Sequence, residues 1–251
     1  FSTRADLRNH RKSGIGLSFG ELFQGLSKGP LGGRRFDLII DTQRIFWTSL
    51  SLKRVPHDAF ISPAARFLLS SKKPAKGYQF PKTMQRQLLD LLELASGRDF
   101  PTPQTLDLDL NKDLRAEAAR LLPEGPEYIG LATGSGGPPK CWPLENFIEL
   151  ARHLESQRRV PVFFLGPKET GWIDEIRNAL PEARFPLQEE GVERNHGFSP
   201  LLSVALSERV RASVSNDSGA AHMFAVGGRP LVTLYGVTAP KKFMPMTDKL
   251  T

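Results

Sequence analysis

Cysteine is nearly absent from this chain. The single thiol, Cys141, cannot close an internal disulfide, which fits a reducing compartment. Long apolar runs are missing too: no stretch approaches the ~20 residues that a membrane-spanning helix needs. The opening residues, Phe1-Ser-Thr-Arg-Ala-Asp6, contain neither an initiator Met nor the apolar segment of a secretory signal, and read as a cut end. Histidine is sparse and scattered. His10, His57, His153, His196 and His222 show no ligand spacing, so no metal centre is expected.

Acidic residues are scarce in one half only. Residues 1–100 hold 17 Lys and Arg against 8 Asp and Glu, and the remainder holds 17 against 19. The net charge of +7 is therefore concentrated at the front of the chain. Such a surface suits an anionic partner: a phosphorylated glycolipid, a membrane face or nucleic acid. It serves equally as a solubilising face with no dedicated partner. The aromatic-rich strands of an RNA platform and a recognition helix are both lacking, which ranks nucleic-acid binding last.

What is present is the rhythm of a loop-rich α/β protein. In 251 residues, 39% are hydrophobic, and Gly and Pro together number 42. Phe36-Asp-Leu-Ile-Ile-Asp41 reads as a buried strand, followed by a helix over Thr42–Leu52 and a short strand at His57–Ile61. Before them, Leu17–Leu26 is helix-like. Thr83–Ala95 carries Met84, Leu88, Leu91, Leu92 and Ala95 at helical spacing and stops at Gly97. A Pro-rich break at Phe100-Pro-Thr-Pro103 and a short helix, Asp113–Leu122, lead to Pro123-Glu-Gly-Pro126. We place the domain boundary there, giving domains 1–122 and 123–251. The second half then alternates strands and helices, which predicts a parallel sheet covered on both faces.

Three polar loops follow strands in that half. The first, Thr133-Gly-Ser-Gly-Gly-Pro-Pro-Lys140, offers a backbone that a ligand can approach at Gly134 and Ser135, then a cation at Lys140. Its spacing matches neither the P-loop nor the dinucleotide fingerprint, and a plain Gly/Pro turn fits it as well. The second is Gly166-Pro-Lys-Glu169. Glu169 either complements a helix dipole or binds ribose hydroxyls. The third, Ser215-Asn-Asp-Ser-Gly-Ala-Ala-His222, joins a strand to a small-residue helix. Asp217 is placed to cap that helix, Ser218 to donate from its first turn, and Gly219 to allow close approach. His222 falls four residues after Ser218, on one helical face. An ordinary helix cap with a satisfied histidine accounts for the same residues. A catalytic thiol at Cys141 is disfavoured, because no histidine shares its motif. Three such loops at successive strand ends point to a nucleotide-diphosphate site on one rim of the sheet.

These pieces together resemble glycosyltransferase family 9, the heptosyltransferase-like enzymes of lipopolysaccharide core assembly. The matching residues are Lys140-Cys-Trp-Pro143, Gly166-Pro-Lys-Glu169, Ser215–His222, Gly228-Arg-Pro-Leu-Val-Thr-Leu-Tyr-Gly236 and Thr238-Ala-Pro240. The resemblance runs from about Arg35 to the end and is sharpest in the last forty residues. It implies the GT-B architecture, two Rossmann-like domains with parallel sheets, the N-terminal one incomplete here. It implies a cytoplasmic, inverting glycosyl transfer from a nucleotide-diphosphate sugar, ADP-activated and heptose-like, to a lipopolysaccharide-core or related glycan. No metal or other cofactor is implied. Lys140 and the Ser218–Gly219 helix start would hold the diphosphate, Glu169 the ribose, and Asp217 and His222 would sit by the donor sugar or its phosphates; Gly134 and Ser135 would join in binding the donor, with Lys140 and Asp217 the catalytic pair. The resemblance further implies a monomer that meets an anionic glycolipid acceptor at the inner membrane face.

Two departures stand out. The family opens with a strand, a Gly-rich loop and an aspartate that looks like the acceptor-activating base, and nothing before Phe36 supplies them. It also continues past Pro245. The expectation is a chain cut at both ends, with Asp41 a poor substitute for the base. Alternatives are another GT-B nucleotide-sugar enzyme such as an epimerase, or a basic nucleotide- or nucleic-acid-binding module.

Overall fold

The structure, a computed structural model, describes residues 34–192 and 199–249. The helix expected at Leu17–Leu26 lies outside the described residues. The chain divides into two units, residues 1–102 and 103–251.

In the first unit, β1 (Phe36–Ile40) pairs in parallel with β2 (His57–Ile61), Ile40 opposite Ile61. Between them α1 spans Phe46–Leu52. The sequence predicts its start at Thr42, four residues early. Asp41 is the reason: its carboxylate accepts the Gln43 backbone N–H at 2.9 Å, so the chain turns before it coils. Helix α2 (Met84–Ser96) starts on the Thr83 hydroxyl, which accepts from Arg86 N–H at 3.3 Å, and stops at Gly97 in the left-handed conformation. Its buried face is narrower than the spacing suggested. Leu91 is enclosed against Ile61 and Phe67, with Leu94 and Ala95 beside it, while Leu88 and Leu92 are exposed.

The second unit is a four-stranded parallel sheet in the order β4-β3-β5-β6. The strands are β3 (Glu127–Ala132), β4 (Arg159–Phe163), β5 (Ala212–Asn216) and β6 (Leu231–Leu234). Strand alternation divides its apolar side chains between two faces. Tyr128, Ala132, Val162 and Phe164 pack on one side, while Ile129, Leu131, Phe163 and Leu165 pack on the other. The second face is covered by α4 (Leu144–Ser156) and α5 (Ile173–Ala179), through Phe147, Ala151 and Ile176. The first is covered by α6 (Pro200–Ser207) and α7 (Gly219–Val226), through Leu202, Leu206 and Phe224.

Helix α3 (Lys112–Leu121) joins that first face, and here the expected boundary fails. Ala118, Leu121 and Leu122 are buried in the same core as Leu202 and Leu206. Arg115 pairs with Glu208 through two contacts of 3.1 and 3.3 Å, and Arg209 donates to the Leu122 carbonyl at 2.6 Å. The division therefore falls between Thr102 and Pro103 rather than after residue 122. The Pro/Gly cluster at 123–126 is only a turn between α3 and β3.

Strand order makes the remaining point. From β3 the chain steps outward to β4, then crosses back over β3 to β5 on its other side. Crevices outside the carboxyl ends of strands at such a reversal are where open α/β sheets take ligands.

Candidate functional site

Three loops meet at that reversal. They come from the carboxyl ends of β3, β4 and β5, as the sequence predicts. Together they enclose a cavity of about 310 Å³ lined by Gly134, Ser135, Glu169, Ser218 and Gly219. Five of the eight residues expected at the site thus line one space. Lys140, Asp217 and His222 do not line it.

Asn216, the last residue of β5, is the tie between the loops. It is fully buried. Its amide nitrogen donates to the Thr133 carbonyl at 2.7 Å, and its amide oxygen accepts Trp142 N–H at 2.9 Å. One side chain thus fixes where the β3 loop departs and where the Lys140 turn ends. The sequence motif contains Asn216 but gives it no task. Its signal was a polar amide at the inner end of an otherwise small-residue strand.

Asp217 follows immediately. Its backbone N–H continues the sheet by donating to Leu234 at 2.9 Å, and its carboxylate meets Lys140 Nζ at 3.2 Å. Lys140 sits on a short helical turn, Pro138–Lys140, which reaches back over the strand end. The expected capping arrangement is reversed. Ser218, not Asp217, caps α7: its Oγ accepts Ala220 N–H at 3.2 Å. Ser218 spends its oxygen on its own helix, which frees Asp217 to orient the lysine.

Glu169 points into the cavity without leaving its loop. Its Oε2 accepts Gly166 N–H at 2.9 Å. The carboxylate also lies against Gly134, where an added Cβ would come within 2.6 Å of Glu169 Cδ. A side chain at 134 would therefore displace the Glu169 carboxylate from its contact with the Gly166 N–H. Glu169 caps its own turn rather than the first turn of α5, which begins at Ile173.

The remaining expected residues separate. His222 is accessible at its outer edge on α7 but stands between buried Ala221 and half-buried Met223, and it is Met223 that turns into the cavity. The His222 pKa is held below its usual 6.5 by desolvation, partly offset by the charge of Asp217. Cys141 contacts Ser135 Oγ at 3.2 Å and the Gly137 carbonyl at 3.6 Å. Nothing in that pairing activates a thiol.

The inner wall carries no motif in the sequence. Phe164, Leu187 and Met223 give the cavity an apolar depth, with Ser203 at its edge. Leu187 and Ser203 stand far from any glycine-rich loop, so only the fold brings them in. Beside Asp217, Tyr235 is pushed up in pKa by burial and then by the Asp217 charge, so it stays protonated. Its hydroxyl has no hydrogen-bond partner among the described residues.

Such a site offers a cation, free N–H groups at a helix start, a carboxylate and an apolar recess. That set suits a nucleoside diphosphate: charge for the phosphates, a carboxylate for hydroxyls, an apolar slot for a base. Known proteins resemble the chain in sequence and in fold. The sequence model of Glycosyltransferase family 9 (heptosyltransferase) matches residues 28–251. The chain is 31% identical to the lipooligosaccharide heptosyltransferase 2 of Haemophilus influenzae over 198 residues, 74% of this chain and 56% of that protein. It is likewise 31% identical to the lipopolysaccharide heptosyltransferase 2 of Salmonella typhimurium over 163 residues, covering 62% and 45%. The chain spans about half the length of the curated relatives it matches. Among solved structures, the E. coli ADP-heptose lps heptosyltransferase II aligns with a TM-score of 0.62 at 23% identity, over 86% of this chain and 67% of that one. The E. coli heptosyltransferase WaaC with ADP aligns with a TM-score of 0.62 at 19% identity, over 98% and 74%. These likenesses show the fold: parallel α/β units of the GT-B class.

Proposed function

Given that the chain belongs to glycosyltransferase family 9, we propose that its second unit is the donor half of an inverting glycosyltransferase. The donor is a nucleotide-diphosphate sugar, ADP-activated and heptose-like, and the acceptor is a lipopolysaccharide-core or related glycan. One observation supports the reading most: Gly134, Ser135, Glu169 and the Ser218–Gly219 helix start line a single cavity, with the Lys140–Asp217 pair beside it.

In this reading the diphosphate lies across the start of α7, where N–H groups of the first turn and the positive dipole end face it. Lys140 swings from Asp217 to the phosphates. As the glycosidic bond breaks, negative charge builds on the leaving diphosphate, and a cation already aimed there stabilises the transition state more than the ground state. Lys140 and the helix N–H groups supply that charge, so the reaction is proposed to run without a metal. Glu169 receives the ribose hydroxyls, and Leu187 and Met223 flank the base. His222 stays near the donor side as a neutral imidazole.

Asp41 is not the acceptor-activating base. Its carboxylate is buried and already taken by Ser49, Ser62 and Gln43. The anionic glycolipid acceptor is assigned to the basic first unit. No helix among the described residues is long and apolar enough to cross a membrane. We place the enzyme in the cytoplasm, at the inner membrane face, as a monomer. No observation favours the epimerase or nucleic-acid readings.

Calorimetry tests the assignment. ADP is expected to bind, and Lys140→Ala to weaken it by about tenfold or more, the value of a charge-assisted phosphate contact. Glu169→Gln is expected to weaken ADP but leave inorganic pyrophosphate unchanged. Equal binding of ADP by wild type and Lys140→Ala would rule the site out.

A further inference from the structure

The first unit carries a loop that the donor site does not explain. Between Ala59 and Leu89 there are six Lys and Arg and not one Asp or Glu. The loop leaves β2 at Ser62 and returns at Ser71, and its neck is tied twice. Ser71 N–H donates to the Phe60 carbonyl at 2.7 Å while Ser71 Oγ accepts Phe60 N–H at 2.9 Å. Ser62 N–H donates to Ser70 Oγ at 2.8 Å, and Ser70 Oγ donates back to the Ser62 carbonyl at 2.7 Å. Such a closed loop is a small rigid platform, not a slack connection.

Its tip is built in an unusual way. Ala65, Arg66 and Phe67 all have positive φ, at 46, 54 and 65°. Three successive non-glycine residues in the left-handed region are costly and persist only where the surroundings enforce them. What they achieve is an inversion. Phe67 turns inward and stacks on Phe80 at 5.6 Å, with Tyr78 edge-on at 5.6 Å. Leu68 is thereby thrown outward and stands 62% exposed. Arg66 stands exposed beside it, as do Lys72, Lys73 and Lys76 in the irregular segment that follows the neck. Arg44 reaches over the Phe80 ring from the other side, 3.9 Å from its centroid. Arg66 and Lys73 line one cavity of about 350 Å³ with Phe67 and Tyr78. Neither they nor Lys76 have a carboxylate partner among the described residues.

We propose that the loop 62–77 is a docking surface for an anionic phospholipid bilayer, with Leu68 entering the acyl boundary and Arg66, Lys73 and Lys76 meeting headgroup phosphates. An apolar side chain displayed among unpaired cations, on a platform whose interior is pinned by aromatic stacking, matches a surface that is apolar beneath and negative above. A soluble polyanion would use the cations but give no reason to present leucine. The proposal rests on the reading of an enzyme at the inner membrane face and names the surface that would hold it there, while its test needs neither donor nor acceptor.

The full chain is floated with vesicles of phosphatidylcholine alone or mixed with phosphatidylglycerol. Binding is expected only to the mixed vesicles and to weaken with salt. Lys73→Glu with Lys76→Glu is expected to lower partitioning by about tenfold or more. The same two-site reversal at Lys112 and Arg152, in the second unit, leaves it within about twofold if location matters more than net charge. A Leu68→Trp variant reports depth directly: brominated acyl chains should quench it in mixed vesicles. Equal loss from the distal pair, or no quenching of the introduced tryptophan, overturns the proposal. Calorimetry with ADP on the same preparations distinguishes this failure from loss of the donor site.

Discussion

Two aspartates occupy equivalent places in the two units and do opposite things. Asp41 is the first residue after β1, and Asp217 is the first after β5. Each donates its backbone N–H to the neighbouring parallel strand, Asp41 to Ile61 at 2.8 Å and Asp217 to Leu234 at 2.9 Å. Each side chain is nearly excluded from solvent. Beyond that they part. The Asp41 carboxylate accepts from Gln43 N–H and from the Ser49 and Ser62 hydroxyls, the latter at 2.9 Å, and so is satisfied entirely by its own unit. The Asp217 carboxylate has a lysine whose side chain is 36% exposed. An acid enclosed by neutral donors holds a fold together. An acid facing a partly free cation holds that cation ready for something else.

The difference can be broken at either end. Asp41→Ala takes the acceptor from the Gln43 N–H and leaves the buried Ser49 and Ser62 hydroxyls only the Ile45 carbonyl and each other. It is expected to cost about 3 kcal/mol, read as a lower urea midpoint. Asp217→Ala leaves only a lysine that can reach water, and is expected to stay within about 1 kcal/mol. Similar losses from both would erase the distinction. Next in size is Asn216→Ala, which frees the Thr133 carbonyl and Trp142 N–H together. About 2 kcal/mol of stability and about tenfold in ADP affinity are expected to go. Retained affinity at reduced stability would make Asn216 structural alone.

Gly134→Ala sharpens the Glu169 side of the site. The new Cβ pushes into the carboxylate, and ADP affinity is expected to fall several-fold, by about 1 kcal/mol. Adding Glu169→Ala removes the clash, so a double-mutant cycle should show strong non-additivity in thermal stability. The smallest effect is expected from pH. Desolvation holds His222 below 6.5, so the unfolded chain takes up its proton first as pH falls. Stability contributed by the neutral ring is therefore lost as pH drops through 6.5 toward the folded value. His222→Gln should flatten that part of a stability profile, and an unchanged slope would show that the imidazole is freely hydrated.

How much of this was legible in the chain depended on distance. The strands of the second unit were, because Val162-Phe-Phe-Leu165 and Ile129–Ala132 are apolar runs that a buried parallel strand requires. The three loops were legible for the same reason, as polar breaks between such runs. Local detail failed where two residues could do one job. Asp217 and Ser218 are both good caps, and only the position of Lys140, seventy-seven residues away, decides which one caps. The boundary failed because Pro123-Glu-Gly-Pro126 has the composition of a linker, while the packing of Leu121 and Leu122 against α6 cannot be seen from composition. Leu88 and Leu92 fit a helical stripe, yet no buried cluster among the described residues takes them in.

The Asn216 tie also bears on the order in which the molecule assembles. Its contact to Thr133 joins residues eighty-three apart, across the β3–β5 pairing that must wait until β4 and its flanking helices have been threaded through. Closing so long a loop is slow, and few interactions compensate for it until the strands meet. The cavity therefore depends on the least local pairing of the sheet. Any ligand that recognises it selects chains that have finished folding, and by mass action draws the unfinished ones after them.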